Sequence, residues 1–105
     1  MKRILTDPEA ATELRAAAEW YEQQRAGLGA EFLASIDEAI ATIQRCPTVF
    51  PFFKDTSIRT YPLQRFPYLV FYEEVVSYIW IYAFAQMKRR PGYWLDRVQG
   101  DKPSE

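Results

Sequence analysis

The sequence predicts one α+β domain, an N-terminal antiparallel helix hairpin packed on a small, mainly antiparallel sheet of three to four strands. Three observations lead there. Apolar residues recur at helical spacing between Asp7 and Arg45, whereas strand-type runs follow Ser57. The chain has 105 residues and is 49% hydrophobic, enough for one core that buries roughly two thirds of the unfolded surface. Aromatic residues make up 16% and fall mostly in the second half, where a sheet accommodates them. Residues 1–100 form the expected domain, and 101–105, ending Lys102-Pro103-Ser104-Glu105, read as a flexible tail.

Asp7-Pro8-Glu9 starts the first helix: aspartate caps, proline fits the first helical position, and glutamate complements the positive end of the helix dipole. Ala10, Leu14, Ala17, Ala18 and Tyr21 continue it at helical spacing to about Arg25, and the alanines imply close helix–helix approach. Gly27-Leu28-Gly29 breaks the run. A second helix over about Ala30 to Arg45 puts Phe32, Ile36, Ala39, Ile40 and Ile43 on one face and Glu31, Asp37 and Glu38 toward water. Pro47 stops it. Three strand segments follow as a meander: Ser57 to Tyr61, Phe66 to Glu73 and Ser77 to Gln86. In the second, Tyr68, Val70 and Tyr72 oppose Leu69 and Phe71; in the third, Tyr78, Trp80, Tyr82 and Phe84 oppose Ile79, Ile81, Ala83 and Ala85. Both faces are apolar, so both strands belong inside the sheet. Leu5 and its neighbours suit a short edge strand, and Gly92 to Val98 a last short helix.

Composition narrows the chemistry. The chain contains no histidine, the side chain most often used for proton transfer near neutral pH. Cys46 is the single cysteine, which excludes an intrachain disulfide and leaves no thiolate set for structural zinc; no metal or cofactor is expected. Met1-Lys2-Arg3-Ile4-Leu5 runs into Asp7-Pro8-Glu9 without an apolar signal segment, and the run from Tyr78 to Ala85 is too short for a bilayer. A cytoplasmic protein without a membrane partner is expected. Net charge is −1; residues 1–53 hold 5 basic and 8 acidic residues, and residues 54–105 hold 8 and 6. That polarity permits a local basic patch and argues against broad nucleic-acid binding.

The patch is Lys88-Arg89-Arg90, followed by Pro91-Gly92-Tyr93-Trp94, directly after the last strand. Arginine forks grip phosphates or carboxylates bidentately, and Arg59 and Arg65, on or near the first two predicted strands, are placed to converge with the cluster. The turn at Pro91-Gly92 folds the terminal segment back onto the sheet, with Trp94 as a core residue. Val75-Val76 at the last hairpin tip is unusual turn chemistry.

Four segments, Ala17-Ala18-Glu19-Trp20-Tyr21-Glu22, Gly27-Leu28-Gly29-Ala30-Glu31-Phe32-Leu33, Arg65-Phe66-Pro67-Tyr68-Leu69-Val70-Phe71-Tyr72 and Arg89-Arg90-Pro91-Gly92-Tyr93-Trp94, occur in an order that resembles the RelE/ParE superfamily of type II toxin–antitoxin toxins. The match is nearest the ParE-like plasmid-stabilisation branch of this bacterial superfamily. The resemblance implies two helices on a small antiparallel sheet, a cognate antitoxin that wraps the toxin in a hetero-oligomer, and inhibition of DNA gyrase by binding, with Lys88, Arg89, Arg90 and Tyr93 facing the target. Tyr21, Leu28 and Phe32, near the helix turn, are the candidate antitoxin groove. The RelE-type alternative is ribosome-dependent mRNA cleavage, for which Arg59, Arg65, Lys88, Arg89 and Tyr93 would be the catalytic set; a third is a non-toxic member that only binds antitoxin and co-regulates its operon. Family members commonly carry histidine at the end of the last strand, where this chain has Gln86, and this favours binding over catalysis.

Overall fold

The computed structural model describes residues 1–100 and 102–104 of the chain, with the Gln99 side chain excluded. Strand β1 (Arg3–Thr6) precedes helices α1 (Pro8–Gln24) and α2 (Leu28–Arg45); strands β2 (Arg59–Pro62), β3 (Tyr68–Glu74) and β4 (Tyr78–Gln86) follow, then a 3₁₀ turn at Leu95–Gln99. The four-stranded sheet has the order β1-β4-β3-β2, with β1 parallel to β4 and the other pairs antiparallel. The α+β reading and both central strands hold. No helix of the described residues is long and apolar enough to cross a membrane.

Asp7 joins two layers. Its carboxylate accepts from Glu9 N at 2.9 Å as the α1 cap, while its own N–H donates to Ile81 O on β4 at 2.9 Å. It is 2% exposed, so both bonds are shielded from water. Helix α2 begins two residues earlier than its sequence suggests, because Glu22 reaches over from α1. The Glu22 carboxylate accepts from Gly27 N at 2.9 Å and Gly29 N at 3.0 Å, supplying the anion and acceptors that a helix start needs. The close approach of the helices requires glycine at position 29, where a Cβ would lie 2.6 Å from Ala18 O.

Helices α1 and α2 cover one sheet face. Phe32, Ile36, Ala39 and Ile43 from α2 meet Val70, Tyr72, Ile79 and Ile81, and Tyr72 donates its hydroxyl to Pro47 O at 2.9 Å. Burial pushes the Tyr72 phenol up to about 12. The outer edge of β2 is closed by the chain before it: Thr60 N donates to Pro51 O at 2.9 Å and Phe53 N to Ile58 O at 2.6 Å, and Pro62 lacks a donor altogether.

One expectation for β4 fails, for a specific reason. Phe71 pairs with Ala83 but Tyr72 with Ile81, so Tyr82 is an extra residue, a β-bulge. Beyond it the alternation changes phase. Phe84 joins the helix-side core, whereas Ala83 and Ala85 lie on the opposite face with Phe71, Trp80, Tyr82 and Trp94.

The part of that second face around Tyr78 and Glu73 is covered from the C-terminus, and the part around Leu69 and Ala85 stays open as a hollow. Lys102 Nζ donates to Glu73 Oε1 and to the Tyr82 hydroxyl, each at 2.9 Å, and the Tyr78 hydroxyl donates to Pro103 O. Ser57 and Tyr82 also donate to Glu73, at 2.9 and 2.7 Å. Lys102 and Pro103 belong to the stretch read as a flexible tail; residues 101 and 105 of that stretch lie outside the described residues. Burial alone would raise the Glu73 pKa, but the hydrogen bonds from Tyr82, Lys102 and Ser57 outweigh it and the net shift is downward.

Two predictions follow from this packing. Gly29→Ala pushes a methyl group into Ala18 O and costs about 1–3 kcal/mol in urea unfolding; an unchanged midpoint would mean that the helices can separate freely. Because the folded pKa of Glu73 is depressed, its stabilising contribution is complete above the ordinary carboxylate pKa and is lost as pH falls through the folded value. Lys102→Ala therefore weakens the fold at neutral pH, and its difference from the parent chain shrinks below about pH 4, read by unfolding at a series of pH values.

Candidate functional site: a cation-rimmed cleft on the open sheet face

The bulge leaves a hollow in the open face. Ala85 and Leu69 form part of its floor beside Phe71 and Trp94, where an unshifted β4 would have placed Phe84. The cleft has a volume of about 340 Å³. One wall is the Phe52-Phe53-Lys54 segment, held by the Phe52–Arg59 bridge, and the other is the turn that follows β4. Lys54 sits in the left-handed region with φ 50°, an uncommon conformation for a residue with a side chain.

The second wall folds back through Gly92, whose φ of 80° suits glycine. Trp94 then docks flat on the sheet, its ring centroid 4.5 Å from Phe71, 5.3 Å from Phe53 and 6.0 Å from Tyr82. It is fully buried, as expected, and its Nε1 has no hydrogen-bond partner among the described residues.

Glu13, from α1, anchors this segment and is the residue that sequence reasoning missed. Its carboxylate accepts from the Tyr93 hydroxyl at 2.5 Å and from Arg97 at 2.9 and 3.1 Å, and reaches Phe84 N at 3.4 Å. Arg97 also donates to Glu9 Oε2 at 2.8 Å and to Tyr82 O at 3.0 Å. Glu13 and Arg97 thus satisfy the β4 backbone beyond the end of β1. Burial, then the hydrogen bond to Glu13 and its charge, drives the Tyr93 phenol well above its ordinary range. Burial alone would lower the Arg97 pKa; its hydrogen bonds and charge interaction with Glu13 more than reverse that. The available signal was the four-residue spacing of Glu9 and Glu13, which puts both on one helix face. Their partner lies more than eighty residues further on.

The sequence-selected residues divide. Arg89 and Arg90 line the cleft, and Lys88 is exposed in the same turn. Arg89 stacks 3.7 Å from the Tyr93 ring centroid and lies 3.7 Å from Glu13 Oε2. Tyr93 contributes its ring to the wall, while its hydroxyl is taken by Glu13. Arg59 and Arg65 do not converge with them. Arg59 pairs with Tyr72, donates to Phe50 O at 2.8 Å and covers the Phe52 ring at 3.9 Å. Arg65, in the turn before β3, donates to Glu31 Oε1 at 2.7 Å. Hydrogen bonds from Arg65 and Arg25 hold the Glu31 carboxyl below its ordinary range, so the carboxylate draws Arg65 toward α2.

Tyr21, Leu28 and Phe32 do cluster near the helix turn, with Tyr21 and Phe32 ring centroids 5.0 Å apart. Phe32, however, is fully buried and also packs on Phe66 at 5.2 Å, so it is a core residue and not a contact. The exposed apolar side chains nearby are Trp20, 5.1 Å from Tyr21, and Leu33. Val75 packs against the open-face core, and Val76 at the hairpin tip is exposed. Among the described residues no group of His, Cys, Asp or Glu has the makeup of a metal site.

This α+β architecture is shared with a solved protein. It superposes on a solved chain of the chromosomal ParDE TA system from P. aeruginosa with a TM-score of 0.64 and 16% identity, covering 84% of this chain and 98% of that one. No protein-family model matches the sequence, and no curated protein is significantly similar to it.

Glu13→Ala removes the shared acceptor of Tyr93 and Arg97 and leaves the largely buried guanidinium with only the exposed Glu9 carboxylate and Tyr82 O, which costs roughly 1–3 kcal/mol. Arg89→Ala, at a half-exposed ion pair, costs under about 1 kcal/mol. Denaturant unfolding of both variants, followed by the fluorescence of the buried Trp80 and Trp94, checks that order; equal losses would remove Glu13 as the anchor.

Proposed function

We infer that this chain is the toxin of a type II toxin–antitoxin system, neutralised by a cognate antitoxin, and that it acts by binding DNA gyrase and not by cutting RNA. The observation that carries this reading is the cleft itself, set on a fold shared with a chain of a ParDE TA system. Its rim offers cations and its walls apolar surface, the composition of a protein-recognition site. RNA cleavage by attack of a ribose hydroxyl needs a base and an acid beside the phosphate. Gln86 stands at the end of β4, and Tyr93, the nearest phenol, has its proton committed to Glu13. Arg59 and Arg65 are engaged elsewhere.

The antitoxin is expected against the helix hairpin, where Trp20, Leu33, Tyr21 and Leu28 offer apolar area beside Glu19 and Glu22. Induction of the chain alone in bacteria is expected to stop growth with filamentation and intact messages, and the purified protein to inhibit supercoiling by gyrase. Cleavage of ribosome-bound mRNA with gyrase unaffected would replace this reading by the RelE-type one. Normal growth after induction would favour a chain that only binds its antitoxin.

A further inference from the structure

We propose that the open-face cleft is a peptide-binding site for an acidic segment carrying one large apolar side chain, the apolar residue entering the cleft and its acidic neighbours pairing with the rim. The proposal rests on the reading above in taking the ligand to be a protein, and it specifies the chemistry of the segment recognised. Three observations support it.

The first is charge. The chain has 14 acidic and 13 basic residues, yet the cleft is lined by Lys54, Arg89 and Arg90 and by no carboxylate. Arg89 is shared with Glu13 Oε2 at 3.7 Å, but Lys54 and Arg90 have no carboxylate partner among the described residues, and such a rim suits carboxylates, which guanidinium forks grip bidentately. The second is the lip. Phe52 and Met87 are 52% and 48% exposed and stand on opposite walls. Two large apolar side chains in water on either side of a hollow mark a place where an apolar group is gripped. The Phe52 ring is also pinned from behind by the Arg59 guanidinium at 3.9 Å, so little freedom is lost when a ligand packs against it.

The third observation is the hollow's size and lining. About 340 Å³ is small for a drug-sized ligand but admits one aromatic or long aliphatic side chain. Its floor mixes the aliphatic Leu69 and Ala85 with aromatic rings, which favours an inserted side chain over a run of stacked bases. A strand of nucleic acid would also need a longer cationic track than three side chains on a chain of net charge −1.

Selection of a random twelve-residue peptide library on the purified chain tests this directly. Selected sequences are expected to be rich in Asp and Glu around a single Phe, Trp, Leu or Met. A synthetic representative should lose about tenfold or more in affinity for the double variant K54E/R90E and a smaller but clear amount for Phe52→Ala. Neither variant removes a core contact, and circular dichroism and melting check that each remains folded. Selection without acidic bias, equal binding by K54E/R90E, or tighter competition by a single-stranded oligonucleotide than by the peptide each overturns the proposal. The measurement does not depend on toxicity. A chain that selects acidic peptides but leaves growth and gyrase untouched loses the functional reading and keeps this one; a gyrase inhibitor that selects none does the opposite.

Discussion

The extra residue at Tyr82 is the constraint on which the open face of this protein depends. A regular β4 would alternate through Phe84 and place that ring beside Phe71 and Trp94. The bulge turns Phe84 to the helix side, where it enters the main core, and burying such a side chain contributes roughly 2 kcal/mol. Ala83 and Ala85 take its place on the other face. Small side chains beneath large ones make a hollow, and the cleft between the Phe52 segment and the terminal turn is that hollow. The same residue serves the second half of the face, because the Tyr82 hydroxyl lies between Glu73 and Lys102, with its phenol pushed up to about 12 by burial ahead of those neighbours.

Glu13 converts this local irregularity into a stable wall. Beyond the short β1, the outer edge of β4 has no neighbouring strand among the described residues, and an open edge is a place for unintended pairing. A side-chain pair stands in for the strand: Glu13 takes the Phe84 N–H and Arg97 donates to Tyr82 O. Since Tyr93 also ends on Glu13, the edge cap and the cleft wall share one carboxylate. The basic segment that follows β4 is therefore two things at once. Its outer members, Lys88 and Arg90, are exposed, while Tyr93, Trp94 and Arg97 are structural.

Much of the fold was legible because the signals were local. The Asp7-Pro8-Glu9 cap, the apolar stripe of α2, the double-faced patterns of β3 and β4 and the turn at Gly92 each follow from residues close in sequence. Failures came where distant residues meet. The start of α2 was misplaced because Glu22 supplies its cap from another helix. Arg65 was assigned to the basic site because its charge is visible in sequence, whereas the Glu31 that holds it is visible only in space. Phe32 lies on the apolar stripe that faces the core, and periodicity cannot separate a buried ring from one at the margin of the same stripe.

The α+β class, the helix hairpin, the two central strands, the absence of histidine and the place of the basic-aromatic turn can be read along the chain, since each depends on composition or on contacts within a few residues. Which cations share a cleft, and which side chains form its floor, depend on how distant segments pack in space. A one-residue bulge reverses every side chain after it, and a carboxylate from the first helix selects its partners by distance, neither of which a linear pattern records.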